Sequence, residues 1–133
     1  MKTINYIKTY SNKIIINDRQ ILNYNINVYL NNILLSQLTT VVGRVEAIKT
    51  IYGFKKLVPI YIDRQLILFP IANLKDYENI YVNASNIIRI IKKETFTVIE
   101  FICGKKLYVN KSYFQINKYY KRAISINHNS WFF

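Results

Sequence analysis

The sequence is short of the residues that build disulfides and nucleophilic active sites, with one cysteine and one histidine among 133 residues. Cys103 has no partner for an internal disulfide, which favours a reducing compartment, and a lone cysteine is expected to be a small buried residue. A catalytic pair of Cys103 with His128 is therefore disfavoured. The three glycines and two prolines leave no linker-like or low-complexity tract. We predict a single domain over residues 1–133.

Signals of other protein classes are missing as well. No apolar run approaches the ~20 residues that span a bilayer, and residues 1–13 lack the apolar core of a signal peptide, so we expect a cytoplasmic protein without membrane contact. No phosphate-binding glycine loop, zinc-protease motif or paired-cysteine motif occurs. We therefore expect no enzyme activity, no catalytic residues, no metal and no cofactor. A nuclease that uses Asp63 with Asp76, or Glu94 with Glu100, stays as an alternative.

Acidic residues are scarce: 19 Lys and Arg stand against seven Asp and Glu, which gives a net charge of +12. A folded domain with this charge needs a polyanion or an anionic surface to neutralise it. Nucleic acid, anionic lipid and an acidic protein are the usual partners, and nucleic acid is favoured among them. A membrane-bound amphipathic helix is disfavoured because the apolar stripes are needed to cover the sheet.

The first half of the chain changes its hydrophobic period once. Residues 3–30 alternate imperfectly around the polar break at residues 17–20, which indicates a hairpin. Residues 32–52 repeat at three and four, which predicts a helix that begins at Asn31 or Asn32 and ends at Gly53. Gly43 inside it indicates either a close backbone neighbour or a break into two helices. The apolar stripe of this helix comprises Leu34, Leu35, Leu38, Val41, Val42, Val45, Ile48 and Tyr52.

The second half returns to the strand period. Strands are predicted at residues 57–62, 65–69, 79–83, 87–92, 95–102 and 105–110, with a tight turn at Cys103-Gly104. Ser112 then caps a helix that places Tyr113, Ile116, Tyr120 and Ile124 on one side. The predicted fold class is α+β, a mainly antiparallel sheet built from hairpins with a central helix and a C-terminal helix.

The hairpin at residues 57–69 is apolar on both faces. Pro59, Ile60, Phe69 and Pro70 are therefore predicted to frame a buried core, with Asp63 as the cap of the turn. Arg64 lies in the turn of this hairpin, and it is the hairpin residue that we expect to reach outward to a phosphate.

A series of landmarks runs from Gly43 to Ala123 in this order and spacing: Gly43-Arg44, Pro59-Ile60, Ile62-Asp63, Leu68-Phe69-Pro70, the strand from Ile80 to Ala84, Gly104, Ser112-Tyr113 and Arg122. Together they resemble the ComK family of competence transcription factors. The segment from Ile80 to Tyr120 also has a weaker likeness to LytTR-type DNA-binding domains, which read DNA with a sheet.

The ComK resemblance implies a cytoplasmic, nucleoid-associated regulator that binds AT-rich promoter boxes in double-stranded DNA and switches on DNA-uptake genes. It implies a homo-oligomer, with RNA polymerase and the adaptor and protease machinery as further partners. Longer members continue beyond the last predicted helix of this chain. An alternative function is therefore an interaction protein that pairs with a full-length member or its degradation machinery and has no activating function of its own.

The candidate DNA-binding residues follow from charge and from the landmarks. Basic residues concentrate between positions 89 and 122, including Lys92, Lys93, Lys105 and Lys106, which favours one basic face. Arg44 and Arg122 are the arginines at landmarks, and arginine is attracted to the narrow minor groove of AT-rich DNA. The predicted set comprises Arg44, Lys49, Lys55, Lys56, Arg64, Lys111, Lys118, Lys121 and Arg122.

Two further groups of side chains have alternative roles. Asn110 and Asn117 are able to donate to base acceptors, although turn and surface positions explain them as well. Twelve tyrosines interleaved with lysines would suit stacking on unpaired bases, as in single-strand binders. The duplex interpretation is favoured because Tyr113 and Tyr120 fall on the apolar stripe of the last helix.

Overall fold

The computed structural model describes residues 3–72 and 78–126, which form nine strands, three α-helices and two short 3₁₀ helices. The strands are β1 (Tyr6–Tyr10), β2 (Lys13–Ile16), β3 (Gln20–Leu22), β4 (Ile60–Asp63), β5 (Leu66–Pro70), β6 (Asn79–Asn83), β7 (Ile87–Lys92), β8 (Thr97–Phe101) and β9 (Lys106–Val109). The helices are α1 (Ile26–Leu34), α2 (Val41–Tyr52) and α3 (Tyr113–Ile126), with 3₁₀ turns at Leu35–Gln37 and Ala84–Asn86.

The strands form two antiparallel sheets. The large sheet has the order β3-β2-β1-β6-β5-β4, and the small sheet is the meander β7-β8-β9. The predicted α+β class with antiparallel sheets and a C-terminal helix is confirmed.

The large sheet lies between two layers, because its strands bury both faces. Ile7 and Leu68 point to one face and share a core cluster with Leu30 of α1, so we call this face the helix side. Tyr6 and Phe69 point to the other face and share a core cluster with residues of the small sheet and α3. Helix α2 lies along the β4 edge, since Val41 belongs to the first cluster and Ile48 to the second.

The β4–β5 hairpin is apolar on both faces because it lies within this sandwich. Pro59, Ile60, Phe69 and Pro70 are buried, as predicted. The Asp63 carboxylate accepts a hydrogen bond from the Gln65 N–H at 2.8 Å, which confirms its role in the turn.

The predicted helix over residues 32–52 is wrong in extent. The strand pattern ends at Leu22, and Asn25 starts α1 by accepting from the Val28 N–H at 3.0 Å. The chain then breaks at residues 35–40, ahead of Gly43, and Thr40 caps α2 by accepting from the Gly43 N–H at 3.0 Å. The break stands because Asn31 in α1 accepts from the Val41 N–H at 2.8 Å, which fixes the two helices against each other. Gly53 ends α2 as predicted, with φ of 73°.

The break also changes the predicted apolar stripe. Leu34, Val41 and Ile48 are buried, but Leu35, Leu38 and Val42 are exposed. A continuous helix would bring these positions to one face, whereas the left-handed backbone of Leu38, φ 57°, turns the chain between the two helices.

The C-terminal half follows the predicted elements closely. Gly104 makes the turn between β8 and β9 with φ of 92°, and Ser112 accepts from the Gln115 N–H at the start of α3. Cys103 is exposed, so the expectation of a buried cysteine is wrong. Cys103 lies in the turn that joins β8 to β9 rather than in a strand that faces the core. His128 lies outside the described residues. Over the described ranges, no helix is long and apolar enough to cross a membrane.

Candidate nucleic-acid interface

The layer opposite the helix side is built from one continuous segment, residues 87–126. Strands β7, β8 and β9 form the small sheet, and α3 packs beside β7, on β5 and on the Ala84–Asn86 turn. We call this the basic layer, because its segment carries nine Lys and Arg against only Glu94 and Glu100. A local excess of charge in the sequence therefore becomes an excess on one side of the molecule.

The outer face of the small sheet combines cations with an apolar row. Cross-strand pairing aligns Arg89, Glu100 and Lys106, and Arg89 forms an ion pair with Glu100. One glutamate thus faces two cations. The next row contains Ile91, Val98 and Tyr108, of which Tyr108 is exposed, Ile91 is half-buried and Val98 is buried.

Two aromatic rings stand on this face. The Phe96 ring centroid lies 5.8 Å from that of Tyr108. Tyr108 is exposed, and it lies two positions after the exposed Lys106 on the same face of β9. A basic sheet surface with exposed rings offers both phosphate contacts and apolar contacts to a nucleic acid.

Helix α3 presents a second cationic strip. Ile116, Ala123 and Ile126 pack inward, while Lys118 and Lys121 are exposed on the opposite side. Phe114, in the first turn of α3, is exposed as well.

Phe114 is 77% exposed. The Lys92 Nζ lies 5.9 Å from its ring centroid, so the start of α3 lies beside the end of β7. The outer surfaces of α3 and the small sheet are therefore continuous.

Arg122 holds this helix to the segment that follows α2. Its Nη2 donates to the Lys56 carbonyl oxygen at 2.9 Å, and its guanidinium carbon lies 4.2 Å from the Phe54 ring centroid. Its Nε is buried without a hydrogen-bond partner among the described residues. Burial lowers the pKa of Arg122, but arginine stays protonated at neutral pH. The contact brings the exposed Lys55 and Lys56 next to α3.

Arg44 and Lys49 lie on α2, outside the basic layer. Arg44 donates to the Gln37 side chain and its guanidinium carbon lies 5.8 Å from the Tyr61 ring centroid. The Lys49 Nζ lies 3.6 Å from Glu46 Oε1. Both cations thus have protein partners on α2 or its neighbours.

Arg64 lies in the β4–β5 turn, outside the basic layer, whereas Lys111 lies within it, between β9 and α3. The Arg64 carbonyl accepts from Ser85 Oγ at 2.7 Å, which ties the exposed β4–β5 turn to the 3₁₀ turn that α3 contacts. The Lys111 carbonyl accepts from Thr97 Oγ1 at 2.7 Å. Its side chain lines an open groove of about 360 Å³ together with Lys8 and Tyr108.

The two predicted asparagines differ in position. Asn110 is exposed at the rim of that groove, and Asn117 is half-buried on α3. Tyr120 packs against the core and Tyr113 is half-buried, as expected for the stripe of α3, but Ile124, which was predicted on the same side, is exposed.

The structure therefore groups most of the predicted set around α3, with Arg44 and Lys49 apart on α2. It adds residues that were not in the predicted set and that lie on the outer surface of the basic layer: Arg89, Lys92, Lys93, Lys106, Tyr108 and Phe114. Strand parity was a usable signal for Arg89 and Lys106, because it separates each from the next residue of its own strand, Ile90 and Leu107, which faces the core. No local pattern pointed to Phe114.

Other chemistry has little support in the described ranges. They contain no group of three His, Cys, Asp or Glu side chains able to hold a metal. Glu100 is engaged by Arg89, and Asp76 of the alternative nuclease pair lies outside the described residues.

The Cys103 thiol sits beside Lys105 and Asn5. A backbone hydrogen bond at Lys105, followed by a bond from Asn5, lowers the pKa of Cys103 against the opposing effect of partial burial. The Asn5 Nδ2 lies 3.3 Å from the Cys103 Sγ.

A family model described as ComK protein matches residues 3–130. The chain belongs to the ComK family. The match includes every landmark from Gly43 to Ala123 and nearly the whole chain. ComK proteins are competence transcription factors rather than enzymes. No curated protein and no solved structure is significantly similar to the chain.

Proposed function

We propose that this ComK-family chain is a transcriptional regulator of competence genes that acts in the cytoplasm and binds AT-rich promoter boxes in duplex DNA. The proposed interface is the outer surface of the basic layer, extended by Lys55, Lys56 and Arg64. As a family member, it would bind as a homo-oligomer and contact RNA polymerase and the adaptor and protease machinery.

The observation that carries the proposal is the folding of residues 87–126 into one layer with nine cations and two acids. Every cation that meets a phosphate releases condensed counterions, which supplies affinity without sequence preference. Lys118 and Lys121 are the best placed for this role, since they project from a helix whose other side is packed in the core.

Preference for AT-rich boxes needs a second element. An arginine at the apex of a turn is suited to a narrow minor groove, where the negative potential is concentrated. Arg64 stands at such an apex, beside the turn that contacts α3. Arg122 has a different role in this proposal: it holds the Lys55–Lys56 segment against α3.

Mobility-shift titrations test the proposal directly. The purified chain should bind an AT-rich duplex more tightly than a GC-rich duplex and a single strand at ~150 mM salt. The double variant Lys118→Glu/Lys121→Glu should lose at least about tenfold in duplex affinity. The matched control Lys13→Glu/Arg19→Glu makes the same change of net charge near the β3 edge of the large sheet and should lose much less.

The other outcomes discriminate between functions. Equal binding of both duplexes would remove the sequence preference. Tighter binding of the single strand would favour base stacking on Tyr108 and Phe114. Failure to bind any of the three would favour the alternative in which the chain acts by pairing with another family member.

A further inference from the structure

One long segment of this strongly basic chain has no charge at all. Residues 20–43 contain no Lys, Arg, Asp or Glu. They form β3, α1, the 3₁₀ turn and the first turn of α2. The chain thus presents a neutral surface on the helix side, while its net charge of +12 is carried elsewhere.

Three of the four most exposed large apolar side chains of the described residues lie where α1 turns into α2. Leu38 is 94% exposed, Leu35 is 71% exposed and Val42 is 69% exposed. These three residues lie within eight positions of the chain, and we call them the hairpin tip. Three strongly exposed aliphatic side chains within eight positions, with no charge among them, favour a contact surface over scattered surface residues.

The backbone of the tip is unfavourable for its sequence. Leu38 has φ of 57° and ψ of 39°, in the left-handed region, and its N–H donates to the Leu35 carbonyl at 3.1 Å. Glycine or asparagine occupies this conformation at less cost than leucine. Because the Leu38 side chain is almost fully exposed, its packing within the molecule does little to offset the strain of its backbone. This combination points to a contact outside the molecule.

We propose that the hairpin tip is the self-association surface of the protein, which docks on the hairpin tip of a second copy around a twofold axis. A twofold axis places the same surface of both copies in contact. The hairpin tip of one copy therefore contacts the hairpin tip of the other, and no second, different surface is needed.

Charge identifies the second copy as the occupant. Two chains of net charge +12 repel each other, so they approach most favourably through neutral surfaces. An acidic partner would instead be attracted to the basic layer. Arg44 borders the tip, but its guanidinium is held by Gln37 and the Tyr61 ring.

The position of the tip is compatible with DNA binding but does not depend on it. The tip joins α1 to the start of α2, which both pack on the helix side of the large sheet. The basic layer lies on the other side, so a dimer formed through the tip leaves it accessible.

Sedimentation equilibrium without DNA tests the proposal independently of the proposed function. The wild-type chain should form a dimer in the micromolar range. Leu38→Asn should weaken dimerisation by about tenfold or more, because it removes the apolar side chain, while asparagine tolerates the left-handed backbone. Thermal unfolding of Leu38→Asn should show an intact fold.

Phe114→Asn is the matched control, since Phe114 is also an exposed apolar residue but lies on the basic layer. It should leave the dimer unchanged. Salt provides a further readout with a defined sign: screening of the repulsion should strengthen dimerisation, whereas it weakens DNA binding.

Cross-linking gives a direct readout of the contact. In a Cys103→Ser background, Leu38→Cys should form a disulfide-linked dimer under mild oxidation, and Ile88→Cys should not. A monomeric wild-type chain at all concentrations up to ~100 µM, an unchanged dimer in Leu38→Asn, or a dimer broken by Phe114→Asn would each overturn the proposal.

Discussion

The guanidinium of Arg122 stacks on the ring of Phe54, with 4.2 Å between its central carbon and the ring centroid. This contact joins α3, the last element described, to the segment that follows α2. It therefore fixes the basic layer against the β4 edge of the large sheet. Arg122, which was predicted from the sequence as a DNA contact, therefore holds α3 to the rest of the fold.

Removing this side chain should reduce stability. Arg122→Ala loses the stack on Phe54 and the hydrogen bond to the Lys56 carbonyl, so we expect the free energy of unfolding to fall by about 2 kcal/mol. Urea unfolding followed by circular dichroism measures this change.

Lys121→Ala is the matched control for Arg122→Ala, because Lys121 is the adjacent residue on α3 and is exposed. Its stability should stay within about 0.5 kcal/mol of the wild type, while its affinity for DNA should fall. Equal stability of the two variants would mean that the Arg122 contact contributes little to the fold.

The buried side chain of Asn83 makes four hydrogen bonds to backbone groups. Its Oδ1 accepts from the N–H groups of Ile67 and Ser85, and its Nδ2 donates to the carbonyls of Ile4 and Gln65. The side chain is almost fully buried, so its partners have no access to water once it is removed. Asn83→Ala should lower the free energy of unfolding by about 3 kcal/mol.

The control for Asn83 is Asn23→Ala, at an exposed bend before α1. This variant should unfold within about 0.5 kcal/mol of the wild type. If Asn23→Ala and Asn83→Ala lowered the free energy of unfolding by similar amounts, the hydrogen bonds of Asn83 would not be the cause of the loss.

The fold was predictable where local signals are sufficient. Strands β4 to β9 form where β-rich apolar segments are separated by turn residues, and Gly53, Gly104 and Ser112 end or begin elements as expected, because turn and cap chemistry is local. The α1 helix was missed because its asparagine-rich sequence resembles a solvated strand. Its geometry depends on Asn31, which caps the neighbouring helix from ten positions away, and such a contact has no periodic signal.

The candidate interface was predictable in part for a similar reason. Residues 87–126 are consecutive, so their charge excess survives folding as one layer. The partners of individual cations are distant in the sequence or depend on the helix register: Phe54 for Arg122, Gln37 for Arg44 and Glu46 for Lys49. Charge alone therefore predicted the region but not the state of each side chain.

Asp18 should make stability depend on pH in the acidic range. Partial burial raises the pKa of its carboxyl group, but hydrogen bonds from Tyr6 at 2.5 Å and Lys8 at 2.9 Å outweigh this effect and lower the pKa. A lowered folded-state pKa contributes stability that is present above the unfolded value of about 3.9 and is lost as the pH falls through the folded value.

Asp18→Asn should therefore be less stable than the wild type at pH 7, by about 1 kcal/mol after allowance for solvent screening. The carboxylate is 43% exposed, which limits the effect. The difference should disappear as the pH falls below about 4. Asparagine tolerates the left-handed backbone at this turn. Urea unfolding at a series of pH values measures the difference, and a constant difference down to pH ~2.5 would contradict the prediction.

The salt dependence of DNA binding should identify which lysines contact phosphates. Log affinity falls linearly with log salt concentration, and each phosphate contact contributes about 0.9 to the slope. Lys118→Ala should reduce the slope by about 1, since Lys118 is exposed on the basic layer. Lys49→Ala removes the same charge from α2, where Lys49 lies near Glu46, and should leave the slope unchanged.

Phe114→Ala should weaken binding without changing the slope, because an apolar contact releases no counterions. Fluorescence anisotropy with one AT-rich duplex over a range of salt concentrations measures all three. A slope reduced equally by Lys118→Ala and Lys49→Ala would place α2 on the DNA as well and extend the interface beyond the basic layer.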